Sequence, residues 1–222
     1  MDGASDRPLD AFELVAALTR HEVDYVVIGG VALQAHGHVR TTLDLDIVAA
    51  WTRENLERLA GALRELEAKL RGVDADLLGL DLGDPTTLYE GGNFLMHTRH
   101  GDLDVFAVDQ TPGAPSRYED LRARATVVEI RGVTLRIAHP DDLIRMKSAA
   151  AQFRDRPTAK RRQDLDDIAV LERLRTEQTR PAGRAPLPSP PRPPDPRHPT
   201  GAARPSPASP TPPKRGGPTL GR

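Results

Sequence analysis

The chain contains no cysteine, which removes disulfide frameworks and thiolate metal sites from consideration. No run of residues approaches the ~18 consecutive apolar positions of a membrane-spanning helix. The opening MDGASDRPLD is acidic and polar rather than a charged start to an apolar run, so no signal peptide is expected. By elimination the expected setting is cytoplasmic, with no membrane partner. The histidines at 36, 38, 97 and 100 show no HExxH spacing, which argues against a zinc site. No internal repeat is present.

Proline and charge are unevenly placed. Of 21 prolines, 15 lie from Pro181 onward, in a stretch almost free of large apolar residues. Such a segment cannot bury enough surface to offset its ordering entropy, so disorder is expected there. Residues 178–222 hold eight Lys/Arg and one acidic residue (+7), leaving 23 basic and 31 acidic residues (−8) before them. The expected organisation is one compact domain over 1–177 and a disordered Pro/Arg-rich tail over 178–222. That tail could attract RNA or another polyanion, or be a solvated extension only.

Within the domain, Leu9–Arg20 has apolar residues at helical spacing, and Val23–Ile28 reads as a strand ending at Gly29-Gly30. A short helix opens at Val31 and ends near Gly37. Leu43–Ala49 alternates and reads as a second strand, followed by a long helix over Arg53–Leu70. The stretch 77–90 has no clear pattern. Strands are predicted over Asn93–Thr98 and Asp102–Val108, a hairpin over Thr126–Ile137, and helices over Pro140–Ala151 and Ala159–Arg175. This order predicts a mixed α/β or α+β sheet with flanking helices and a helical C-terminal part.

The strongest chemical feature is Asp44-Leu45-Asp46. Side chains at i and i+2 share one strand face, so the two carboxylates stand together while Leu43, Leu45 and Ile47 face the core. Adjacent carboxylates repel unless a cation lies between them, and an all-oxygen site suits Mg²⁺. An ordinary polar strand face is the plainer alternative. Asp102-Leu103-Asp104-Val105-Phe106 repeats the pattern, with Leu103, Val105 and Ala107 opposite. Should the two strands be neighbours, Asp104 completes a three-carboxylate cluster, the parts of a two-metal displacement at phosphorus. Ile28-Gly29-Gly30 marks a strand-to-helix junction at which backbone can approach a phosphate closely.

Together, Ile28-Gly29-Gly30-Val31-Ala32, Gly37, Arg40, Thr42 and Asp44-Leu45-Asp46-Ile47 resemble the signature of the nucleotidyltransferase (polymerase-β-like) superfamily. The Arg40-x-Thr42-x-Asp44-Leu45-Asp46 wording is similar to the AbiEii/AbiGii-type toxin nucleotidyltransferases. So are Asp142-Leu143-Ile144-Arg145-Met146-Lys147 and the later Lys160, Asp164 and Asp167-Ile168. The resemblance spans about Val23 to Leu171. It implies an enzyme that moves a nucleoside monophosphate from a nucleoside triphosphate to an acceptor hydroxyl. Two Mg²⁺ ions (or Mn²⁺) would be held by Asp44 and Asp46, with Asp104 as third carboxylate or as base for the acceptor hydroxyl. Gly29 and Gly30 would line the triphosphate, and Lys147 would contact phosphate with Asp164 or Asp167 orienting it. The implied acceptor is a tRNA or a protein, with a cognate antitoxin as partner. Antibiotic-modifying nucleotidyltransferases share these motifs, and a non-catalytic nucleotide- or partner-binding relative is the alternative. One departure stands out: many members have Ser after the first Gly, and this chain has Gly30 followed by Val31.

Several residues keep two readings. Arg40 either contacts phosphate or pairs with an aspartate near the turn. Lys147 either serves the site or snorkels from an apolar helix face. Asp164, Asp166 and Asp167 either serve the site or pair with Lys160, Arg161 and Arg162 on their own helix.

Overall fold

The computed structural model describes residues 8–72, 77–90 and 92–179. The expected tail therefore lies outside the described residues, apart from its first two positions, which continue the last helix. The fold is the expected α+β type: among the described residues, a seven-stranded mixed sheet is flanked by seven α-helices.

Helix α1 (Ala11–Arg20) begins two residues later than its periodicity implied, because Asp10 caps it by accepting from the Glu13 N–H. Strand β1 (Tyr25–Ile28) is buried along its whole length and leads straight into α2 (Gly29–Ala35). The glycine pair is thus the first turn of that helix. Strand β2 (Asp44–Ala49) is followed by α3 (Arg53–Glu65), capped by the Thr52 side chain.

The long helix predicted to Leu70 is shorter than expected. Ala68 N–H bonds back to the Leu63 carbonyl at 3.0 Å and Glu67 adopts φ +54°, a left-handed termination. Lys69–Leu70 then form the edge strand β3. The leucine periodicity runs on because Leu66 still packs into the core, fully buried, after the helix has ended. The unpatterned stretch 77–90 contains α4 (Pro85–Tyr89), capped by Asp84 with Pro85 in its first turn.

The two predicted hairpins form as β4 (Asn93–Thr98) with β5 (Gly101–Phe106) and β6 (Thr126–Ile130) with β7 (Val133–Ile137). Between them lies α5 (Tyr118–Arg124), too short to announce itself by periodicity. Helices α6 (Pro140–Gln152) and α7 (Thr158–Thr179) close the fold, and α7 runs four residues past its predicted end.

Strand order is β3-β4-β5-β2-β1-β7-β6. The β2–β5 and β1–β7 pairs are parallel and the others antiparallel. Leu45 and Ile47 of β2 and Leu103 and Val105 of β5 are fully buried in one core with Leu14 and Leu18 of α1 and Leu59 and Leu63 of α3. Leu43 is the exception to the alternation argument. It precedes the strand and is 75% exposed, so it belongs to the surface rather than the core. Among the described residues no helix is long and apolar enough to cross a membrane.

Ile47 is central to this core, so Ile47→Ala is expected to cost about 2–5 kcal/mol. A urea melt of the variant against wild type checks this, and a loss below about 1 kcal/mol would contradict the core position assigned here.

Candidate active site

Because β2 and β5 are parallel neighbours, Asp44 lies opposite Asp102 and Asp46 opposite Asp104. Alternation keeps the leucines and valines in the core and turns these acids to the other face. Asp44, Asp46 and Asp104 each offer a carboxylate oxygen within 4.8 Å of the others. They share a cleft of about 1270 Å³ with Gly29, Gly30, Arg40, Arg71, Lys147, Lys160 and Asp164. The expected three-carboxylate cluster is therefore a feature of the fold.

Its electrostatics follow from crowding. Burial pushes the Asp46 carboxyl up to about 6, and the neighbouring Asp44 adds to this, against the opposing pull of Lys147 and the Gly30 N–H. Asp104 is pushed up to about 7, again first by burial and then by Asp46, with Arg71 acting in the other direction. Two carboxyls that keep their protons towards neutrality are short of positive charge. A divalent cation would replace those protons, and a purely oxygen donor set fits Mg²⁺ or Mn²⁺. The residues present therefore fit the ions that the sequence motifs imply.

The glycines have a local reason to be glycine. Gly29 has φ +61°, and a Cβ there would stand 1.8 Å from Asp46 Oδ2. At Gly30 a Cβ would stand 2.2 Å from Thr42 Oγ1. That hydroxyl donates to Asp44 Oδ1 at 3.2 Å. The pair thus lets α2 begin directly against the carboxylates. Both glycines also line the cleft.

On the opposite wall, Lys147 of α6 is only 15% exposed. Its Nζ lies 3.1 Å from Asp164 Oδ1 and 2.8 Å from Asp167 Oδ2. Snorkelling is thereby excluded. Asp164 is also held by Arg156 at 2.7 Å, and Asp167 by His38 and Arg40, each at 3.1 Å. Both acids are nearly inaccessible, whereas Asp166 is exposed. Their partners come from other parts of the chain, so the pairing along α7 with Lys160, Arg161 and Arg162 is not what forms. Arg40 does pair with an aspartate, but with Asp167 of α7 rather than one near its own turn.

Two residues escaped the sequence reading. Arg71 donates through Nη1 to Asp102 Oδ2 at 2.8 Å and through Nη2 to Asp104. His97 Nδ1 lies 2.7 Å from Asp102 Oδ1. The β4–β5 hairpin places His97 opposite Asp102, a pairing that the predicted turn could have revealed. Arg71 offered no such signal, since it was read as following a helix rather than an edge strand.

No protein-family model matches the sequence, and no curated protein is similar to it. Several solved structures resemble the fold, two of them as follows. One is an antigenic nucleotidyltransferase-like protein from Paracoccidioides brasiliensis, 19% identical over 76% of this chain and 79% of that one, with a TM-score of 0.46. The other is ANT(2")-Ia in complex with adenylyl-2"-tobramycin, 17% identical over 76% of this chain and 96% of that one, with a TM-score of 0.43. Likeness at this level assigns neither family nor activity, and the functional reading rests on the chain's own residues.

Asp46 titrates above the ordinary carboxylate range in the fold, so its contribution to stability is present at low pH and is lost as pH rises from about 4 through about 6. Metal-free Asp46→Asn should therefore lose less stability than wild type between pH 5 and pH 8, measured by thermal melts in EDTA. Gly29→Ala should instead destabilise at every pH, by at least the roughly 1–2 kcal/mol of a left-handed non-glycine residue. Parallel pH slopes for wild type and Asp46→Asn would contradict the crowding described here.

Proposed function

We propose that this chain is a metal-dependent nucleotidyltransferase, moving a nucleoside monophosphate from a nucleoside triphosphate to an acceptor hydroxyl. The observation that carries this reading is the in-register pairing of β2 with β5, which gathers Asp44, Asp46 and Asp104 at one end of an open cleft. Structural sites with a lone DxD strand have no reason to recruit a third buried acid from a neighbouring strand.

In this reading Asp44, Asp46 and Asp104 would hold the divalent ions. Such ions, when bound, neutralise phosphate charge and make an acceptor hydroxyl more acidic. The chain's own residues do the rest. Gly29 and Gly30 leave room for the triphosphate beside the carboxylates. Lys147 carries three N–H donors. Asp164 and Asp167 occupy two of them, which fixes the ammonium and leaves a donor for a phosphate oxygen. Arg71 holds one oxygen of Asp104, so that carboxylate keeps its orientation. The acceptor oxygen bonds to the α-phosphorus as the bond to the β-phosphate oxygen breaks. Asp104 takes the hydroxyl proton, and pyrophosphate leaves.

We read the acceptor as a tRNA, with a protein acceptor as the variant of the same chemistry and a cognate antitoxin as the natural partner. The support for this is the toxin-like wording from Arg40 to Asp46 and from Asp142 to Lys147.

Incubation of the purified full chain with each α-labelled nucleoside triphosphate, Mg²⁺ and total RNA tests the proposal. Label should enter RNA with wild type, fall by at least about 10²-fold in Asp44→Asn and Asp46→Asn, and vanish in EDTA. Both variants should still melt cooperatively. Label on protein would move the acceptor class, and full activity in both variants would overturn the carboxylate assignment.

A further inference from the structure

Away from the cleft, at the other end of β1, lies a second cavity of about 340 Å³. Its walls bring together Arg58 of α3, Arg122 of α5 and Arg136 of β7, with the Tyr25 side chain of β1. These come from four separate elements, so the convergence is a product of the fold and not of a local basic run. The volume is at the low end of the ~300–1,000 Å³ typical of small-molecule sites.

Donors in this cavity outnumber the acceptors that use them. The Arg136 side chain makes no hydrogen bond or ion pair among the described residues. Arg122 spends only Nε, on Asp24 Oδ1 at 3.1 Å. Arg58 is committed, to the Glu22 carbonyl at 3.3 Å and to Glu54 at 2.6 Å. Tyr25 is 7% exposed, and its hydroxyl has the Thr19 hydroxyl nearby but completes no well-formed hydrogen bond. A buried hydroxyl left without a full partner is destabilising unless a ligand satisfies it. Burial also pushes that phenol up to about 12, so it stays a donor, with the nearby Thr19 hydroxyl only partly offsetting the effect. The acids in the wall are partly committed or peripheral. Asp24 Oδ1 already accepts from both Tyr118 and Arg122, and Glu22 is exposed at the rim.

We propose that this cavity is a binding site for the oxyanion of a small metabolite, a phosphate or a carboxylate, held by Arg136, the free Nη groups of Arg122 and the Tyr25 hydroxyl. Planar guanidinium forks suit both oxyanions, and two of them with a neutral donor suit a phosphate best. The site is separate from the carboxylate cluster and does not depend on the transferase reading. Tyr25 pairs with Ala49 at the far end of β2 from Asp44.

The test is calorimetric titration of the full chain in EDTA with inorganic phosphate and, separately, with acetate. It is run on wild type, Arg136→Ala, Arg136→Lys and Tyr25→Phe. Wild type should bind phosphate. Arg136→Ala should weaken binding at least about tenfold, Arg136→Lys should restore part of it, and Tyr25→Phe should weaken it several-fold while melting no lower than wild type in phosphate-free buffer. Tighter acetate than phosphate binding would identify the carboxylate as the source. Absence of binding in wild type, or equal affinity in wild type and the two Arg136 variants, would overturn the proposal.

Discussion

Strand pairing between β2 and β5 overrides the mutual repulsion of three carboxylates. Backbone hydrogen bonds and the apolar undersides of both strands fix the register. The acids on the upper face have no freedom to separate. Leu45, Ile47, Leu103 and Val105, all fully buried, anchor the same backbone that carries Asp44, Asp46, Asp102 and Asp104. The core therefore supplies the energy that keeps like charges together, and burial, followed by that repulsion, raises the Asp46 and Asp104 carboxyls above the ordinary range.

Around that cluster the fold arranges compensation. Arg71, delivered by the edge strand, spans Asp102 and Asp104. The glycine pair brings a backbone N–H and a helix start against Asp46 where any side chain would collide. Across the cleft, Asp164 and Asp167 of α7 bind Lys147 of α6 together with His38, Arg40 and Arg156. Buried ion pairs of this type add little net stability, because desolvation offsets much of the attraction. Their evident effect is geometric: one network joins the loop after α2 to the two C-terminal helices and fixes the lysine that faces the carboxylates.

Much of this was readable in the chain. Alternation in 44–49 and 102–106 depends only on the two-residue period of a strand, so the facing of the aspartates was legible, as were both hairpins and the two closing helices. Where the reading failed, packing overrode pattern. Leu66 and Leu70 continue a helical spacing that a left-handed residue at Glu67 interrupts. Leu43 continues a strand alternation outside the strand. Helices of five and seven residues, α4 and α5, are too short for a period to be recognised.

The sequence by itself determined which residues could act: a glycine pair at a strand-to-helix junction, two DxD strands, a lysine and three aspartates on later helices. Local periodicity encodes facing, and facing needs only neighbours along the chain. Only the tertiary structure decided which of these meet. That β5 lies beside β2 rather than beside β1, that Asp167 binds Lys147 from a different helix, and that Arg71 caps the carboxylates are all contacts between distant segments. So is the gathering of three arginines over a buried phenol at the far end of β1. Such contacts depend on sheet order and register, which follow from how the whole core packs and not from any local stretch of residues.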